Sequence, residues 1–145
     1  EKQGLMKKLL PFLILCSLIF CLVAPEASAS KPVVSTSYRV SEASGPLGFK
    51  VTKIEFRSDL TRIYGRLIGR PHTSGRIDAL TLTLPGGRAM ASTDIDGVDM
   101  KRYFQWEDEN YIEVEIDFPP MKKSRTMTVS VVGPNGNSLW IIVNK

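Results

Sequence analysis

KRYFQWEDENYIEVEIDF, residues Lys101–Phe118, holds two alternating runs on either side of four polar residues. In Arg102–Trp106 the rings of Phe104 and Trp106 stand two apart. In Tyr111–Phe118 the same spacing joins Ile112, Val114, Ile116 and Phe118. Side chains two apart project to one side of a strand, so each run has an apolar and a polar face. Tyr111, Glu113, Glu115 and Asp117 form the polar face of the second run. With Glu107–Asn110 as the connection, the stretch predicts a β-hairpin at the centre of an antiparallel sandwich.

The period of two continues in both directions. Upstream, Val51–Arg57 places Thr52, Ile54 and Phe56 against Lys53 and Glu55, and after Ser58-Asp59 the run Thr61–Gly69 opposes Ile63 and Leu67 to Arg62, Tyr64 and Arg66. Pro71–Gly75 interrupts the pattern, and Ile77–Leu84 resumes it with Leu80, Leu82 and Leu84 on one face. Pro85-Gly86-Gly87 reads as a turn before a short strand in Arg88–Ser92. Downstream, Pro119-Pro120 ends the central run because neither residue can donate to a ladder. Thr126–Val132 is β-branched and alternating, Asn135-Gly136 is a hairpin signal, and Leu139–Val143 forms the last strand. Seven or eight short strands and no helical period after the first thirty residues predict an all-β antiparallel sandwich.

The start of the sequence has a different character. Met6-Lys7-Lys8 precedes the apolar run Leu9–Val23, and Ala27-Ser28-Ala29 follows it. That layout predicts a secretory signal peptide over residues 1–29, cleaved after Ala29, with Glu1–Leu5 as an upstream extension. The run has 15 residues and contains Pro11, short of the roughly 20 needed to span a bilayer. Both cysteines, Cys16 and Cys21, lie inside it, and the bulky Leu15 and Phe20 before them do not fit lipid attachment. The 116 residues from Ser30 on therefore contain no cysteine, which removes disulfides, thiol nucleophiles and cysteine-ligated metals. They carry sixteen basic and thirteen acidic side chains, a net charge of +3, too mild to imply nucleic acid as a partner. Ser30–Pro46, rich in Ser, Ala, Gly and Pro, reads as a flexible N-terminal segment or a loosely paired first strand, and residues 47–145 as the domain.

Three short stretches, Val51-Thr52-Lys53-Ile54-Glu55-Phe56, Asp96-Gly97-Val98 and Phe118-Pro119-Pro120-Met121, resemble the immunoglobulin-like sandwich modules of bacterial envelope proteins. Such modules stand alone or precede a thioredoxin-like domain. The sequence lacks the Cys–Trp–Cys core of antibody domains and has no Cys-x-x-Cys beyond residue 29. The resemblance implies an immunoglobulin-like fold and a non-catalytic accessory role.

Four groups of residues are candidates for chemistry. Arg62, Tyr64, Arg66 and Arg70 would project from one strand face, and arginine forks suit phosphates, sulfates and carboxylates. The plainer reading is a solvated strand face whose arginines discourage edge pairing. Asp94, Asp96 and Asp99 crowd three carboxylates beside Gly97, an oxygen set that calcium favours; an Asp-rich surface turn is the plainer reading. His72, the single histidine, stands two residues from Ser74, an acyl-transfer pair without an oxyanion hole, and a loop position accounts for it better. Trp106, Trp140, Tyr103 and Tyr111 could stack on sugars, although Trp106 and Trp140 sit at core-facing positions.

These expectations converge on an exported protein, periplasmic or extracellular. It would act without a cofactor as a binding module for an envelope protein or an anionic glycan. A calcium-stabilised structural or adhesion domain is the first alternative, and a hydrolase built on His72 the second.

Overall fold

The computed structural model describes residues 31–144. The signal peptide expected over residues 1–29, with Cys16 and Cys21, lies outside the described residues. All regular structure within them is β, in antiparallel sheets.

The first sheet orders β1 (Val33–Ser35), β3 (Gly48–Phe56), β4 (Thr61–Ile68), β10 (Tyr111–Phe118) and β8 (Asp94–Asp96). The second orders β2 (Tyr38–Ser44), β12 (Ser138–Asn144), β11 (Thr126–Val132), β6 (Ala79–Thr83) and β7 (Ala89–Ala91). A separate ribbon pairs β5 (Ser74–Gly75) with β9 (Phe104–Gln105). Seven of these strands run five residues or more.

The two large sheets bury one shared core, with Ile54, Leu67, Phe118, Leu82, Met127, Trp140 and Ile142 wholly enclosed. Two aromatic contacts bridge the sheets. Phe49 of β3 stacks on Trp140 of β12 with centroids 4.3 Å apart, and Tyr38 of β2 tilts against Phe56 of β3 at 6.0 Å. Each buried polar tip finds an acceptor: Trp140 Nε1 donates to the Leu47 carbonyl at 2.9 Å, and the Tyr38 hydroxyl donates to the Ser124 carbonyl. The fold is thus sandwich-like and all-β.

Three local expectations change. The central hairpin does not form. β10 pairs along its whole length with β4, from Tyr111↔Ile68 to Phe118↔Thr61, and on its other edge with β8. An eight-residue partner with matching alternation offers a full ladder, whereas Phe104–Gln105 supplies two residues. Trp106 goes into the core between loops instead, its Nε1 donating to the Leu67 carbonyl at 3.1 Å.

In β3 the face assigned to Thr52 is wrong. Val51 pairs with Gly65 and Lys53 with Tyr64, so Thr52 is the extra residue of a β-bulge. The bulge lets Val51 and Ile54, three apart, both face the core while Thr52 stays exposed and donates to the Tyr64 carbonyl at 3.0 Å. Finally, most of the 30–46 segment is paired strand: β1 lies on β3 and β2 on β12, one in each sheet.

Candidate functional site

Along β4 the sequence T-R-I-Y-G-R-L-I alternates inward and outward without a break. Thr61, Ile63, Gly65 and Leu67 face the core, and Arg62, Tyr64 and Arg66 lie on the outer face. Gly65 is required there: a Cβ would come within 2.3 Å of the Phe49 ring. β4 is an inner strand between β3 and β10, so its arginines do not guard an edge.

Antiparallel register sets an acid beside each position of the stripe, with Asp117 opposite Arg62, Glu115 opposite Tyr64 and Glu113 opposite Arg66. Arg62 grips Asp117 with two parallel hydrogen bonds, Nε to Oδ1 at 2.7 Å and Nη2 to Oδ2 at 2.9 Å, and Glu115 stands 3.8 Å away. These hydrogen bonds to Asp117 hold the Arg62 guanidinium above its ordinary pKa, so it stays charged. Arg66 donates to Glu113 at 3.1 Å and covers the Tyr111 ring at 4.2 Å, while Lys53 lies over Tyr64 at 4.3 Å. Asp117 is buried, at 7% exposure, which makes Arg62 its counter-ion rather than a free ligand group. On these two strands two guanidinium groups meet three carboxylates. That face presents no excess of positive charge to an anion.

Arg70 is separated from the other three. It lies two residues past the end of β4, exposed, and makes no salt bridge among the described residues. The acidic cluster also divides. Asp94 and Asp96 are exposed positions of β8 on either side of buried Ile95, and Asp99 follows the Gly97 turn. Gly97 has φ 104°, and a Cβ there would meet the Glu113 carbonyl at 2.2 Å. Among the described residues no group of three His, Cys, Asp or Glu side chains is gathered closely enough to hold a metal ion. His72 has φ 63°, is exposed, and reaches Asp108 at 3.3 Å, with no hydrogen bond to Ser74. Trp140 is wholly enclosed, and Trp106 is buried apart from the small part that lines a cleft at one end of the sheets, so neither presents an open ring face for a sugar to stack on.

What the structure does bring together is a cleft of about 450 Å3 at one end of the two sheets. Its walls come from the β2–β3 turn (Pro46, Leu47), the end of β4 with the following loop (Ile68 to Arg76), Trp106, and the β11–β12 hairpin (Gly133 to Gly136). The β4–β5 loop is held in place by its backbone. The Gly69 amide donates to the Asn110 carbonyl at 2.9 Å, the His72 amide to the Trp106 carbonyl at 2.7 Å, and the Trp106 amide to the Thr73 carbonyl at 2.9 Å. Gly69 and Gly75 make room for the indole: a Cβ would lie 2.5 Å and 3.0 Å from its atoms. The Arg76 guanidinium is occupied, bonded twice to Asp78 and lying 5.0 Å from the Tyr103 ring. Those bonds to Asp78 raise its pKa.

No single stretch of sequence announces this cleft, because its lining comes from four segments spread over residues 46–138. A recess of this volume, with both apolar and polar walls, falls within the ~300–1,000 Å3 of small-molecule sites. Comparison with protein families, curated proteins and solved structures finds no match to this sequence or fold.

Proposed function

We propose that the protein is an exported, non-catalytic binding module of the bacterial envelope, built as an immunoglobulin-like sandwich, that takes its ligand in the end cleft. The cleft itself carries this reading: loops from both sheets close around a partly apolar recess, and sandwich domains use clustered end loops on a rigid scaffold for recognition. The immunoglobulin-like character rests on the resemblance of Val51–Phe56, Asp96–Val98 and Phe118–Met121 to envelope modules, and export on the leader-like layout of residues 6–29. The matched charges on β4 and β10 argue against an anionic glycan along that face. The preferred partner is therefore an envelope protein segment or a small molecule entering the cleft.

A thermal-shift screen on the protein and on a Ser74→Trp variant tests this, since the added ring stands on the cleft wall. Compounds that raise the Tm of the wild type but not of the variant support the cleft as the site. Hits that act equally on both proteins refute it, as does a screen without hits.

A further inference from the structure

Resting on that reading, we infer that the cleft selects a carboxylate carried on a short apolar body. Three observations converge. First, one part of the wall is apolar: Leu47, Ile68, Trp106, Val131 and Pro134 line it, and both neighbouring indole N–H groups are already committed to the Leu67 and Leu47 carbonyls. An apolar body is desolvated there without stranding an indole donor.

Second, the two cations of the lining differ. Arg76 is neutralised by its paired hydrogen bonds to Asp78, whereas Arg70 makes no salt bridge among the described residues. The Arg70 backbone carbonyl is fixed by the Thr73 amide at 3.3 Å and the Thr73 hydroxyl at 2.6 Å. The base of the arginine is thus positioned, and its planar fork suits a carboxylate.

Third, Ser138 lines the cleft at 2% exposure, and its Oγ accepts from the Leu47 amide at 3.0 Å. Its own proton has no acceptor among the described residues, which leaves a buried donor for a ligand oxygen. A recess whose apolar wall carries the uncommitted cation Arg70, with the hydroxyls of Ser138 and Ser74 and the Asn135 amide as further donors, calls for an apolar acid. A neutral apolar ligand would leave these donors unmatched, and a dianion would bring more charge than Arg70 answers.

The test is an amide chemical-shift titration of the protein with 3-phenylpropanoate and with 3-phenylpropanol, following Thr73, Ser74, Gly133, Gly136 and Ser138. The acid should shift these amides with a Kd of about 1 mM, what a ligand of this size supports, and leave Glu113 and Glu115 unmoved. The alcohol should bind about tenfold more weakly, the loss expected when a charge-assisted contact is absent. Arg70→Gln should remove that preference, and Arg88→Gln, which changes net charge away from the cleft, should keep it.

Acetyl-Gly-Phe as free acid and as amide separates the two sources of this chemistry. If the peptide acid binds better than 3-phenylpropanoate, the carboxyl terminus of a peptide is the physiological form; if not, a free small acid is. Equal binding of acid and alcohol at the cleft overturns the carboxylate class while leaving the cleft as a site. No shift at the cleft with either probe overturns both.

Discussion

Removing the guanidinium of Arg62 tests whether the outer arginines are structural. Asp117 keeps 10% of its side-chain surface exposed and receives two charge-assisted hydrogen bonds from Arg62, whose own side chain is 25% exposed. Stranding a fully buried charge costs about 3–5 kcal/mol. The quarter-open arginine lets water reach part of the site, so Arg62→Met should destabilise by about 2–3 kcal/mol. Asp94 stands directly across from Asp117 on β8, and an unpaired Asp117 would face that like charge.

The converse change is gentler. In Asp117→Val the arginine can turn to Glu115, already 3.8 Å away, and to solvent, so the loss should be about 1 kcal/mol. The double variant should lie near the milder single, giving a coupling of about 2 kcal/mol. Urea denaturation at pH 7, with equal m-values across the set, reads all three numbers. Arg66→Met is the internal control: its pair with Glu113 is exposed, and the change should cost at most about 1 kcal/mol. If Arg62→Met proves no worse than Arg66→Met, the Asp117 pair is solvent-screened. The stripe would then be a free cationic surface rather than a set of matched pairs.

Other expectations follow from single positions. Thr61 Oγ1 is buried with no hydrogen-bond partner among the described residues, so the near-isosteric Thr61→Val should raise stability by about 1 kcal/mol in the same denaturation assay. Gly69→Ala should destabilise by about 1–3 kcal/mol and change the tryptophan emission, because the new methyl meets the Trp106 ring at 2.5 Å. Burial pushes the Tyr38 phenol above its ordinary pKa of about 10, and hydrogen bonds with Asn144 and Ser124 only partly offset this. The unfolded protein ionises first, so the support Tyr38 gives is full below about pH 10 and is lost as pH rises through the folded value. The urea midpoint should accordingly fall more steeply above about pH 10 in the wild type than in Tyr38→Phe. Intact-mass analysis of secreted protein should find Ser30 as the first residue; a product beginning at Met6 would contradict cleavage after Ala29.

How much was legible follows from how local each signal is. The alternation of Thr61–Ile68 and Tyr111–Phe118 gave their inward faces correctly, because burial on one side of a strand fixes side-chain parity residue by residue. Pairing partners did not follow from proximity in sequence. The loop Glu107–Asn110 has the look of a hairpin turn, yet β10 gains eight paired residues from β4, 43 positions earlier at Tyr111↔Ile68. The bulge at Thr52 could have been suspected from Val51 and Ile54, two apolar residues three apart in a run of period two. Charge compensation is not legible from one strand alone. Arg62, Arg66, Glu113 and Asp117 were all visible as outward positions, and placing β4 beside β10 makes them partners rather than a cationic stripe. The cleft was not readable at all, since it depends on how four segments meet in space. Arg70, grouped with the strand by its even spacing, belongs to that recess only because β4 ends at Ile68 and the backbone turns away from the ladder.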